Sequence, residues 1–264
     1  MAVIPNRFMN SIVAIGVSND GTTKQWIGTG FIVSLKGNDD SESATFYIVT
    51  NKHVVNSHRN IYVRFNALEG DFVKDYEIVL TDGKTCFYST HPNDTADVIA
   101  LQINPETLIK DKSVWGSFDL DNEALSLEEM HNSGVAEGNL VYSLGFPMNL
   151  VDIIKAPICR LGCISRFFDA FLKRNETPTF LVDAQTFPGN SGGPIISRLE
   201  ASEKKDNEVK LVGILSAYIP YETPLINAQT NRPAMILQEN SGLTVVHPVD
   251  RIREVVQLEY KRVK

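Results

Sequence analysis

Apolar residues recur along the chain in short runs separated by clusters of Gly, Asn, Asp, Ser and Pro. The runs include SIVAIGV, WIGTGFIVSL, TFYIVT, NIYVRF, YEIVL, DVIALQI, LVYSLGF, CRLGCIS, TFLVDAQ, PIIS, LVGILSAY and LTVVHP. Runs of this length, rich in β-branched residues and punctuated by turn formers, predict antiparallel strands. The alternating helices that a parallel sheet requires are missing, so the fold class is all-β. One stretch has helical spacing: VDRIREVVQLEYK, residues 249–261, repeats apolar residues at Ile252, Val255, Val256 and Leu258 just after Pro248. Four polar insertions break the strand pattern, at 36–45, 121–138, 200–208 and 220–241. The first and third read as solvated loops, and the second and fourth as candidate binding loops.

Composition narrows the partners. The chain has 264 residues and a formal net charge of −7. That length buries a sizeable core in one large domain or two small ones built as a unit. The acidic balance argues against nucleic acid, whose phosphates are bound by clustered Lys and Arg. The apolar runs are too short for a membrane span, and the N-terminus lacks the basic and then apolar regions of a signal peptide. Cys86, Cys159 and Cys163 are an odd, sparse set rather than a disulfide framework. On a strand Cys159 and Cys163 lie about 13 Å apart, too far to bridge. The expectation is a protein of the reducing cytoplasm with both cysteines as small core residues. CRLGC lacks nearby Cys or His partners, so no metal and no cofactor are expected.

The chemistry concentrates at TFPGNSGGPIIS, residues 186–197, where glycines and prolines surround Ser191. Glycine serves where the backbone takes an unusual dihedral or another group approaches closely. GNSGG fits the G-x-S-x-G pattern of an α/β-hydrolase, but Pro194 and a β-branched run follow Ser191 at once, and only His247 follows among the histidines. Upstream, the apolar strand FYIVT leads through Asn51 and Lys52 to His53, and NDTADVIALQI places Asp97 at the head of another strand. The order His, Asp, Ser supports nucleophilic catalysis by a triad. Asp94 is the fallback acid. His58, His91 and His131 sit in polar, turn-like stretches and read as exposed, and His247 reads as structural.

These segments together resemble the trypsin-like serine protease family, and most closely its HtrA-like branch. The matching pieces, in family order, are GTGFIVS, YIVTNKHVV, DVIALQI, GNLVYSLGFP, CRLGCIS, VDAQTFPGNSGGPII, LVGILSAY and GLTVVHPVDRIREVV. The resemblance implies two six-stranded antiparallel Greek-key β-barrels, about 8–110 and 136–248, and a C-terminal helix at about 249–261. It implies a serine endopeptidase in which Ser191 attacks the scissile carbonyl, His53 takes and returns its proton, and Asp97 orients His53. The Gly189 and Ser191 amides would form the oxyanion hole. Gln185, Ser216, Ala217 and Tyr218 would bind substrate, Gln185 walling the S1 pocket and 216–218 pairing with the peptide backbone. Gln185 stands where trypsin has its basic-residue-selecting Asp, so a small, aliphatic or polar P1 residue is expected.

The departures from the family imply control of another kind. Asn190 replaces the Asp that pairs with a freed N-terminal amine in trypsin-type zymogens. Activation by N-terminal cleavage is therefore not expected, nor is tail sensing by the PDZ domain that HtrA-like proteins carry. The expectation is a latent enzyme with segment 187–190 misplaced, controlled by loops or a regulatory protein partner. Phe167, Phe168 and Phe171 read as core by default and as a partner contact in the sharper alternative. The partner class is a protein or peptide substrate. The competing reading is a non-catalytic protease-fold module that binds peptide along the LSAY edge.

Overall fold

The computed structural model describes residues 4–36, 44–65, 74–153, 155–172, 178–198 and 209–264. Insertion 200–208 and most of insertion 36–45 lie outside the described residues.

The first half is a sheet built from β1 (Ile12–Val17), β2 (Gln25–Lys36), β3 (Ala44–Thr50), β4 (Asn60–Arg64), β5 (Asp75–Val79), β6 (Ser89–Thr90), β7 (Ile99–Ile103) and β8 (Phe118–Asp119). Seven strands run in the order β5-β4-β1-β2-β3-β7-β6, and β8 joins β2 in parallel. The two ends of that path meet through a hairpin: Thr81 bridges Cys86, and the Phe87 amide donates to Leu80 O. The sheet is thereby curled into a barrel-like half. The second half is a closed six-stranded barrel in the order β10-β11-β14-β13-β12-β9. Its strands are β9 (Leu140–Gly145), β10 (Ile158–Arg166), β11 (Phe180–Asp183), β12 (Pro194–Arg198), β13 (Val209–Asn227) and β14 (Arg232–Pro248).

Several strands are apolar at every position because they are buried on both faces. Successive strand side chains point to opposite sides. In β1, Val13 and Ile15 enter the core of the first half, while Ile12 and Ala14 join a second core shared with the other half and the C-terminal helix. In β12, Ile195 faces the core of the second half and Ile196 the shared one. The two barrels and the helix therefore meet on one dry surface, which holds the strand ends in fixed relation.

Insertion 121–138 contains a short helix, Leu127–Asn132, opened by a capping box between Ser126 and Glu129. Insertion 220–241 is not a loop: β13 and β14 continue as a two-stranded ribbon to a turn at 228–231. The C-terminal helix runs Val249–Val263. The cysteine expectation is corrected. Odd-numbered positions of β10 face outward, so Cys159 is exposed and Cys163 partly so, and all three cysteines are free. The phenylalanine cluster divides: Phe167 is buried, Phe168 is exposed, and Phe171 stacks on His131 at 3.9 Å.

Candidate active site

β3 ends in Thr50, Asn51 holds the N-cap position of the next turn, and that turn, Lys52–Val55, is helical and carries His53. Asp97 lies just ahead of β7. Its carboxylate accepts the His53 backbone N–H at 3.0 Å, the imidazole Nδ1 at 2.5 Å and the Ser216 hydroxyl at 2.9 Å. Its main chain is fixed too, because Asn51 Nδ2 donates to Asp97 O and the Asp97 amide donates to His247 Nε2. Burial alone raises the Asp97 pKa. The His53 imidazole and backbone N–H and the Ser216 hydroxyl outweigh it and hold the carboxyl below the ordinary value. An ionised carboxylate only accepts, so His53 Nδ1 carries the proton and Nε2 keeps a free lone pair. Asp94 is exposed and paired with Lys52 instead.

Ser191 occupies the turn before β12, between Gly189 (φ +98°) and Gly192 (φ +84°). Both glycines are needed for space as well as dihedral. A Cβ on Gly192 would come within 2.1 Å of Thr29 O, and one on Gly189 within 2.4 Å of Phe146 O. The Ser191 hydroxyl donates to Ser216 O at 3.2 Å. His53 and Ser191 line one cleft of about 350 Å³ with Thr186, Phe187, Pro188 and Leu215–Tyr218.

The peptide planes around Ser191 are pinned from behind. Pro188 O accepts from the Met148 amide at 2.8 Å, and Asn190 O from the Gly193 amide at 2.9 Å. No peptide bond of the described residues is cis. In a planar trans unit the N–H points opposite the carbonyl, so the Gly189 and Ser191 N–H groups point away from those anchors. Both carbonyls, Pro188 O and Asn190 O, are thus engaged by main-chain donors. Asn190 is buried and its Oδ1 has no hydrogen-bond partner among the described residues.

The residue that ties this segment to the first half is Thr29, inside GTGFIVS. Its buried hydroxyl donates to Gly189 O at 2.6 Å and accepts the Phe146 amide at 3.0 Å. The Thr50 hydroxyl in turn holds Thr29 O at 2.7 Å. Sequence reasoning missed Thr29 and Met148. The only local signal was a threonine kept between two glycines on an otherwise apolar strand.

Pocket residues are partly reassigned. The chain alternates before Ser191, with Ala184 and Thr186 buried and Gln185 exposed, so Thr186 rather than Gln185 fronts the cleft. Ser216, Ala217 and Tyr218 all line it, and no carboxylate does. His91 is buried rather than exposed, because its Nε2 bonds Glu254 on the C-terminal helix at 2.6 Å. His247 is buried behind Asp97.

Comparison with known proteins agrees with this architecture. A sequence profile described as a trypsin-like peptidase domain matches residues 28–201. The MamO protease domain of Magnetospirillum magneticum aligns over 94% of this chain and 96% of its own, with 14% identity and a TM-score of 0.51. Rv3671c protease of M. tuberculosis, in an inactive form, aligns over 95% and 89% with 16% identity and a TM-score of 0.46. No curated protein matches the chain.

Proposed function

Because the chain belongs to the trypsin-like peptidase family, we propose that it is a serine endopeptidase acting through Ser191, His53 and Asp97. The observation that carries this reading is the Asp97–His53 pair, which leaves the imidazole Nε2 lone pair free beside Ser191 in a shared cleft. Rotation about one side-chain bond would take the Ser191 hydroxyl from Ser216 O toward His53. Its oxygen then attacks the scissile carbonyl carbon while its proton passes to His53 Nε2. The carbonyl π pair moves onto oxygen, which the Gly189 and Ser191 amides receive. Collapse expels the amine, which takes the proton from His53, and water repeats the sequence to free Ser191.

Each such amide donor contributes roughly 3 kcal/mol of transition-state stabilisation in related chemistry. The cleft offers Thr186, Ser216, Ala217 and Tyr218 without a carboxylate, which suits an uncharged P1 residue. Control, on this reading, acts on access to the cleft or on the Ser191 rotamer, and not on segment 187–190.

Intact-mass detection of fluorophosphonate labelling tests the proposal. Wild type should take one adduct, Ser191→Ala none, and His53→Ala should react far more slowly. A folded wild type that takes no adduct would replace this reading with the non-catalytic peptide-binding module.

A further inference from the structure

The ribbon that extends β13 and β14 is apolar and exposed, and no hydrogen bond or ion pair joins its outer part to the rest of the described residues. From Tyr221 to Glu239, the hydrogen bonds among the described residues run only between the two strands and their turn. At the strand rise the ribbon reaches roughly 25 Å beyond the barrel. Side chains directly opposite one another share a face. The pairs Tyr221–Glu239, Thr223–Leu237 and Leu225–Met235 therefore place four large exposed side chains on one side, and Met235 is 63% exposed. An isolated two-stranded ribbon with such a face is marginal in water.

Three observations narrow the occupant. Pro220, Pro224 and Pro233 lack N–H groups, so the ribbon edges are poor templates for an added strand, and contact is face-on. The turn NAQTN at the tip is polar, which opposes insertion into lipid. The charges are placed for self-pairing: exposed Arg232 stands at the tip and exposed Glu239 near the base. A two-fold axis between Met235 and Ile236 lies midway between them, so it sets Arg232 of each copy beside Glu239 of the other while the apolar residues meet in the middle. We propose that this ribbon is an arm through which two copies of the chain associate, face to face and antiparallel. At roughly 100 Å² of apolar surface per half-exposed large side chain, the two faces together bury roughly 800 Å² from these side chains, plus the intervening backbone. That is the size class of weak, transient association rather than of permanent dimers.

Sedimentation velocity on Ser191→Ala protein tests the arm independently of any proteolysis. Between about 1 and 200 μM the mass should rise from 29.4 kDa toward twice that value. The exposed triple variant L225E/M235E/L237E should stay monomeric with an unchanged circular dichroism spectrum. E239R alone should weaken association about tenfold, and R232E/E239R should restore it. Wild type that remains monomeric throughout, or a triple variant that dimerises as well as wild type, would overturn the proposal.

Discussion

Thr29 is the residue on which the two halves of the site depend. Its hydroxyl bonds Gly189 O and Phe146 N, and a valine of the same shape would leave both without that partner inside the protein. Thr29→Val should lower stability by about 1–3 kcal/mol, the usual cost of orphaning buried polar groups. It should also slow fluorophosphonate labelling by roughly 10- to 100-fold, because a donor displaced from its aim loses most of its roughly 3 kcal/mol. Thr29→Ser, which keeps the hydroxyl, should retain most of both. Labelling of the valine variant at the wild-type rate would remove Thr29 from the positioning of Gly189. His53, Asp97 and Ser191 stand out in the sequence because their local settings are distinctive, an apolar strand delivering His53, a strand headed by Asp97 and glycines around Ser191, and the structure brings His53 onto Asp97 and into one cleft with Ser191. Thr29 was not, because its partner lies 160 residues away and is a main-chain oxygen that leaves no mark on composition.

The C-terminal helix illustrates the same limit for an element. Its existence and start were readable from the spacing after Pro248, and Ile252, Val255 and Val256 do face inward, but the last inner position is Glu259 and not Leu258. Positions 252, 255, 256 and 259 share a helical face, so Glu259 is fully buried whereas Leu258 remains 38% exposed. The Glu259 carboxylate accepts the Ser89 hydroxyl at 2.8 Å and the Gln102 amide at 3.1 Å, and it is paired with Arg262. It thereby fastens the helix to β6 and to β7, the strand that Asp97 heads. Glu259→Ala should cost about 2–4 kcal/mol, because it strands two donors and part of an ion pair. Differential scanning calorimetry would register a lowered Tm, with Glu259→Gln falling between. An unchanged Tm in the alanine variant would mean that these bonds contribute nothing net. The ribbon at 220–241 reads as a polar insertion and a candidate binding loop, and three prolines stand within it. The structure tolerates them in a two-stranded ribbon, where half of the main-chain donors face no partner strand.

At the scale of the whole molecule, two joined β-barrels followed from the family resemblance that the motifs carry, and His247 is structural as read, while the burial of His91 against the C-terminal helix left no mark in the sequence. His247 gives the fold a pH dependence. Burial lowers its pKa, Asp97 opposes that shift, and Arg251 and His91 add to it, so the net value lies below 6.5. Its Nε2 accepts the Asp97 amide, which places the remaining proton on a buried Nδ1 without a partner among the described residues. The unfolded chain thus binds the second proton more readily than the folded one. This contribution is complete above about pH 6.5 and is lost progressively as the pH falls below it. Asp97, shifted downward, adds a further loss only below its ordinary 3.8. Wild-type Tm should therefore fall as the pH is lowered from about 6.5 to 5.5. The fall should be shallower in His247→Gln, whose amide oxygen can still accept the Asp97 N–H but does not titrate. Equal slopes for the two proteins would exclude His247 as the source. The Thr29 contact also bears on how the chain is made. His53, Asp97 and Thr29 leave the ribosome before Ser191, and synthesis delivers domains from the N-terminus onward. Ser191 and the Gly189 carbonyl therefore emerge after the half that receives them, and Thr29 is in place before the oxygen it holds has been made.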